Sequence, residues 1–306
     1  MSTIKQVKSQ SVVPMGAGMG FRREMMAQMD GRYSLSHEID FFEVSPENWM
    51  NSQGVMGGRF DALLRSYSER FDFVCHGLSL SIGGTRQLDV QHVKNIKQFM
   101  QRHEIELFTE HLAWCGDSKG YLYDLLPMPC TSEAVTWVAD RISQVQDILG
   151  RQIGLENASY YYRPKESEMS DCEFITAVIE EADCLLHLDV NNIFVNSQNF
   201  GFDAQEYLHQ LPLERVCYLH VAGHYADHDG LIIDTHGESV VNQVWALLES
   251  TYDEIYQRTA KTADMIPTCL ERDFNFPSLE QLIDEVNHIR WLQSAQVENL
   301  SKTKTI

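Results

Sequence analysis

The sequence predicts one α/β domain, a TIM-type (β/α)8 barrel. Three observations carry this. Short apolar runs alternate with helix-periodic segments eight times along the 306 residues. No Pro/Gly/Ser-rich linker, composition shift or internal repeat divides the chain. Polar residues recur at or just past the C-terminal ends of the apolar runs, where such barrels place their chemistry. Strand–helix units of this length favour parallel pairing through crossover helices, and eight of them favour closure over a doubly wound open sheet.

In chain order the expected strands are Val12 to Gly18, Phe41 to Ser45, Phe73 to Leu78, Leu107 to Leu112, Ile153 to Glu156, Cys184 to Asp189, Val216 to Val221 and Thr268 to Glu271. Between them, Phe60, Leu63, Leu64 and Tyr67 share a helical face, as do Val135, Val138, Ile142, Val145 and Leu149 in the helix that Ser132 and Glu133 open. Val240, Val244, Leu247 and Leu248 mark the seventh helix, and Leu279, Leu282, Ile283 and Val286 the eighth. The glycines from Gly16 to Gly20 resemble a dinucleotide loop only superficially. They lack its full spacing and acidic partner, and read as a tight strand-to-helix turn. Two long loops, Cys115 to Thr131 and Tyr225 to Glu238, both leave C-terminal strand ends. The barrel is expected over 11–296, with flexible tails at 1–10 and 297–306.

At 43% hydrophobic residues the chain can fill one large core. With 24 Lys and Arg against 44 Asp and Glu, the net charge of −20 argues against nucleic acid and anionic membranes as partners. Only the two ends are faintly basic, at Lys5 to Lys8 and Lys302 to Lys304, and they read as solvated tails. No run approaches the ~20 apolar residues of a membrane span, and the N-terminus lacks the apolar core of a signal peptide. The seven cysteines, with no CxxC pair, suggest a reduced, cytoplasmic protein.

Nine potential metal ligands sit at the strand ends: His76, His111, Glu156, Asp189, Asn192, His220, Asp234, His236 and Glu271. Each alone has a plainer reading, as a hydrogen-bonded core histidine or a helix cap. Their recurrence changes the balance, because burying so many ionisable groups without metal or mutual pairing is costly. Imidazole with carboxylate and no thiolate suits iron, zinc or manganese, and nine candidates exceed the four of a structural zinc. Around them, Glu43, Glu110, His187, His224, Arg272 and Asp273 are expected to orient or tune the ligands. His187 shares a strand face with Asp189 and reads either as a ligand itself or, in preference, as a group that orients Asp189. Glu110 and His111 can form a buried ion pair, and Arg272 with Asp273 either a local salt bridge or a charged rim. Asp234 and His236 converge if their loop is extended, and Gly223 permits a sharp turn between His220 and His224. Ser79, Ser81, Gly83 and Gly84 form a small-residue loop after His76.

Taken in order, FFEVSPENW, CHGLSLSIGG, FTEHLAWCG, LENAS, HLDVNN, YLHVAGH, DTHGE and CLERDFNFP resemble the multinuclear non-haem iron-dependent oxidases, the family that includes the iron subunit of the methanobactin-forming enzyme. The resemblance spans about residues 14 to 290 and implies a TIM-type barrel with two or three irons, mixed-valent Fe(II)/Fe(III), and dioxygen as co-substrate. It implies that His76 and His111 bind one iron with Glu156 bridging, that Asp189, His220 and Glu271 bind a neighbour, and that Asn192, Asp234 and His236 form a third position. Glu156, Asp189 and His220 are thereby the expected catalytic residues. The substrate it implies is a cysteine-containing, ribosomally made precursor peptide, presented beside a partner protein that binds its leader.

Rival readings on the same barrel are a sugar isomerase, a phosphodiesterase or endonuclease, and a non-catalytic metal-binding subunit. An endonuclease needs a basic groove, which a charge of −20 opposes. A sugar isomerase typically needs a lysine near its metals; the strand ends carry none, Lys119 lying out in the long loop.

Overall fold

In the computed structural model, residues 13–303 are described, apart from 30, 31, 33, 34, 36, 118 and 119. Eight parallel strands close into a barrel: β1 (Ala17–Gly20), β2 (Phe41–Val44), β3 (Asp72–Gly77), β4 (Phe108–His111), β5 (Gly154–Glu156), β6 (Leu185–Asp189), β7 (Val216–Ala222) and β8 (Thr268–Glu271). Each pairs with its neighbours in sequence, and β1 closes on β8 with Ala17 opposite Thr268.

Strand alternation builds the interior in layers. Phe41, Val74, Leu107, Tyr218 and Cys269 form an apolar plug inside the barrel. Two residues further along the same strands stand Glu43, His76, Thr109, His220 and Glu271. The period of two in a strand therefore puts a polar layer directly above the plug. β1 contributes little bulk to the interior. A Cβ on Gly18 would meet the Phe41 ring at 2.5 Å, and one on Gly20 would meet the Arg22 guanidinium carbon at 3.0 Å. The glycines make room for side chains from elsewhere.

The helices outside are capped by the residues that precede them. Thr131 caps Ser132–Leu149, Ser170 and Glu173 form a capping box on Asp171–Ala182, and Asp189 caps Val190–Phe200. Their buried faces join the strands' outward side chains in one continuous core.

Four expectations shift. The first strand is Ala17–Gly20 rather than Val12 to Gly18, so four of the five residues from Gly16 to Gly20 are strand and not a turn into a helix; Val12 lies outside the described residues. Small residues hid this strand, because it supplies backbone and space rather than apolar bulk. Both long loops contain antiparallel hairpins, Trp114–Asp117 with Gly120–Leu126, and Tyr225–Ala226 with Ile232–Ile233. Val240 lies just ahead of the helix Asn242–Thr259. The last helix, Leu279–Thr303, continues into the segment expected as a C-terminal tail. The expected N-terminal tail, its lysines, Lys119 and Lys304 lie outside the described residues.

Candidate metal centre

The polar layer converges on Glu156. Its Oε2 lies 3.1 Å from His76 Nε2, 3.2 Å from His111 Nε2 and 3.9 Å from His187 Nδ1. Its Oε1 lies 3.4 Å from His220 Nδ1. The two carboxylate oxygens thus face different imidazoles. His220 Nδ1 is also 3.0 Å from Glu271 Oε2 and 3.8 Å from Asp189 Oδ2. Glu271 Oε2 is in turn 3.1 Å from His236 Nδ1, whose Nε2 is 2.8 Å from Asp234 Oδ1. Three ligand groups therefore run together, joined by Glu156 and Glu271.

This layer is almost fully buried: His76, Glu156, Asp189 and His220 are each at most 1% exposed. Several of its atoms lack an aligned hydrogen-bond partner among the described residues: Glu156 Oε2, both His187 nitrogens, Asp189 Oδ2, Asn192 Oδ1, His220 Nδ1 and His236 Nε2. Each buried orphan costs about 1–3 kcal/mol unless something answers it. Nitrogen and carboxylate donors left open toward a common space fit ligation of more than one metal ion. Asp189 shows both of its roles at once. Oδ1 accepts from the Asn192 amide at 2.7 Å as a helix cap, while Oδ2 is left facing the cluster.

The surrounding charges hold these groups in unusual states. Burial alone would lower the His111 pKa, but the Glu156 and Glu110 carboxylates outweigh it and raise the imidazole to about 9. Burial and the neighbouring Glu156 charge push Asp189 up to about 8. Burial opposes ionisation of Glu156, yet His187, His111 and His76 hold it well below its ordinary value. His187 is driven well down by burial and by His220. A cation inserted here would replace protons on the histidines and favour the ionised carboxylates.

Partners beneath and beside the ligands fix their orientation. His220 Nε2 hydrogen-bonds to Glu43, which also accepts from the Tyr218 hydroxyl at 3.0 Å. That bond leaves His220 Nδ1 free for the cluster. His76 Nδ1 pairs with Thr109 Oγ1 at 2.8 Å, directing Nε2 inward. Asp234 Oδ2 accepts from Ser159 Oγ at 2.8 Å, and Oδ1 from Asn191 Nδ2 at 2.7 Å. His224 Nδ1 hydrogen-bonds to Asn191 Oδ1 at 2.8 Å, and Asn191 in turn holds Asp234.

Several expected partnerships differ. His187 is drawn toward Glu156 and stands edge-on to His220, ring centroids 4.1 Å apart, instead of orienting Asp189. Arg272 pairs with Glu285 at 3.2 Å on the last helix and not with Asp273. Asp273 instead lies 3.3 Å from His236 Nδ1. His236 has a left-handed backbone, φ 48°, so it meets Asp234 through a kink and not an extended loop. Asn192 lies in the first turn of its helix, its Nδ2 donating to the Asn157 carbonyl at 3.0 Å. Gly223 makes no left-handed turn; a Cβ there would sit 2.0 Å from the Glu238 carbonyl oxygen, so its role is close approach. Glu110 does sit beside His111, Oε1 to Nδ1 3.5 Å, while its Oε2 accepts the Leu80 amide.

Arg22, which no apolar run marks in the sequence, also belongs to the site. Its guanidinium bonds Glu271 Oε1 at 2.8 Å, Glu43 Oε1 at 3.2 Å and Asp273 Oδ1 at 3.0 Å. Its place, continuing the alternation of Gly18 and Gly20, was the available signal. Cys269 also lies near Glu43 and His220, but burial pushes its thiol well up.

Comparison with known proteins adds a name to this geometry. Residues 16–294 match the family described as RiPP precursor modification enzyme MbnB/TglH/ChrH, RiPP denoting a ribosomally synthesised and post-translationally modified peptide. The chain belongs to that family. An MbnB/TglH/ChrH member is an enzyme that acts on a ribosomal precursor peptide. Relatives include a UPF0276 protein of Shewanella loihica, 50% identical over 281 residues, covering 92% of this chain and 95% of the relative. A UPF0276 protein of Nitrosospira multiformis is 48% identical over 282 residues, covering 92% and 94%. Among solved structures, an L-ribulose 3-epimerase aligns with TM-score 0.57 at 11% identity, covering 96% of this chain and 97% of the epimerase. The 3-keto-D-glucoside 4-epimerase YcjR from E. coli aligns with TM-score 0.55 at 14% identity, covering 90% and 99%. At these identities the likeness of the MbnB/TglH/ChrH member to epimerases is one of fold. No helix among the described residues is long and apolar enough to cross a membrane.

Proposed function

We propose that this enzyme is a multinuclear iron-dependent oxidase that uses dioxygen to modify cysteine residues of its precursor peptide, working with a partner protein that binds the peptide's leader. The observation that carries the reading is the run of three ligand groups joined through Glu156 and Glu271, with inward atoms left unanswered. His76, His111 and Glu156, with His187 alongside, would hold one ion, and Glu156, Asp189, His220 and Glu271 a second. Asp234 and His236 would hold a third beside Glu271, with Asp273 at its edge, and Asn192, which the resemblance adds to this position, offers its unpaired Oδ1. Iron bound there would supply oxygen activation, for which nitrogen and carboxylate ligands with open positions are suited.

The protein's own residues set the conditions for that chemistry. Glu43 orients His220, Thr109 orients His76, and Arg22 offsets the charge of Glu43, Glu271 and Asp273. The plug of Phe41, Val74, Leu107, Tyr218 and Cys269 packs the barrel interior beneath the ligands. Glu156, Asp189 and His220, each at most 1% exposed, are assigned the catalytic role. The seven cysteines are free, in keeping with a reducing cytoplasm.

The test is anaerobic purification followed by metal analysis and exposure to air with the cysteine-bearing peptide encoded beside the gene. Two or more irons per chain and an oxygen-dependent mass change at cysteine are expected. Stoichiometric zinc with no mass change would overturn the proposal.

A further inference from the structure

A cavity of about 410 Å³ lies beside the metal centre, between the segment after β5 and the helices Asp171–Ala182 and Ala204–Gln210. It is separated from the ligands by a single layer of chain. Leu112 in its wall directly follows His111, and Asn157 directly follows Glu156. Asn157 exchanges two hydrogen bonds with the Asp189 backbone, both 2.9 Å, while Ser159 donates to Asp234. One face of the 157–159 segment thus braces the ligands, and residues of the same segment line the cavity.

We propose that this cavity is a subsite for a lysine or arginine side chain of the precursor peptide, close in sequence to the residue that is modified; this rests on the peptide-modifying role proposed above. An extended peptide advances about 3.3 Å per residue, so a neighbour of the residue held at the ligands reaches the adjoining wall. The cavity's chemistry selects an amphipathic side chain. Leu112, Met128, Phe174 and Ile175 supply apolar walls, and Met128 adds an adaptable surface. Among the charged lining residues, Arg163 pairs with Asp171 at 3.2 Å, which leaves Asp203 and Glu206, both exposed, to set an acidic rim. A lysine or arginine buries its methylene stem against such walls and keeps its charged head at the rim. Burial pushes the thiols of Cys130 and Cys172, which line the cavity, up to about 12, so they remain protonated.

The experiment uses iron-loaded protein kept anaerobic and fluorescein-labelled alanine hexapeptides with one central cysteine. Lys, Leu or Glu is placed in turn at each of the two positions before and after the cysteine, and binding is read by anisotropy. At one position Lys should bind roughly threefold to tenfold tighter than Glu, and tighter than Leu, at low salt. Glu206→Lys alters an exposed side chain outside the metal layer, so its fold, checked by circular dichroism, should be retained. It should abolish the Lys preference and move it toward Glu. Equal affinity for Lys and Glu in the wild type, Leu binding as tightly as Lys, or a preference unchanged by Glu206→Lys would each overturn the subsite. Admitting air afterwards separates the two readings. With the full precursor peptide and its leader-binding partner in place of the hexapeptides, a Lys preference without any mass change leaves the subsite standing and removes the oxidase, and mass change without a preference does the reverse.

Discussion

The two oxygens of Glu271 have divided tasks. Oε1 is held by Arg22 at 2.8 Å, and only Oε2 faces His220 and His236, at 3.0 and 3.1 Å. Arg22 thereby decides which oxygen two ligand groups share, and it balances carboxylates that would otherwise repel. Arg22→Met leaves those buried charges without their cation. It is expected to destabilise the metal-free protein by about 3–5 kcal/mol in urea unfolding and to lower iron content on the Glu271 side. Glu156→Ala should behave differently. It removes the carboxylate that joins His76 and His111 to His220, so iron content and activity should collapse while circular dichroism stays native. Full activity in that variant would refute the bridging role. The contrast also shows what the sequence could disclose. Glu156 ends an apolar run and stands out as polar in an apolar setting. Arg22 continues the alternation of Gly18 and Gly20 but follows no apolar run, and its importance arises from three carboxylates, on β2, on β8 and two residues past Glu271, which only folding assembles.

At the scale of elements, seven strands were visible because apolar runs ending in a polar residue are what a barrel strand with a site at its mouth must look like. The hairpins within the long loops were not, since their strands lie outside the barrel and carry no buried alternation; Tyr225–Ala226 is exposed throughout. The segment that brings in Asp234 and His236 depends on Gly223, which lets the chain after β7 pass against Glu238. Gly223→Ala should displace that segment, costing the third metal position while the His76, His111 and Glu156 group keeps its ion. Metal titration of the variant, showing one fewer tight equivalent, is the check. A second contact ties the start of the helix Val90–His103 to the loop after β3. His92 Nε2 lies 3.5 Å from Glu47 Oε1, which also accepts from the Leu78 amide at 3.0 Å. Burial acts to lower the His92 pKa, but the Glu47 hydrogen bond and charge outweigh it, so the folded value is raised. The stabilisation is then full below the unfolded value near 6.5 and fades as pH rises through the raised folded value. His92→Gln should accordingly cost more stability at pH 6 than at pH 9, measured by urea unfolding at both.

For the whole molecule, one barrel interior is split between an apolar plug that stabilises the fold and a polar layer that costs stability until something binds it. Metal binding to the folded state alone adds about 4.1 kcal/mol at a thousandfold excess over Kd. Stripping iron with a chelator should therefore lower Tm, and restoring it should raise Tm in a concentration-dependent way. An unchanged Tm would mean that the polar layer is already satisfied without an ion. The acidic surface, barrel order and polar rim followed from composition and periodicity; the partition of ligands into linked groups did not, because it depends on side chains from strands far apart in sequence.

The junction at Asp189 has a practical consequence. No residue intervenes between β6 and the helix Val190–Phe200, and one carboxylate serves both the helix start and the cluster. Any change in the electron demand on Oδ2 must pass through the same carboxyl group to the amide held by Oδ1. In nitrogen-15 spectra of the metal-free protein and of a zinc-substituted form, which avoids paramagnetic broadening, the Asn192 amide is thus a native spectroscopic probe of occupancy, one that requires neither substrate nor turnover.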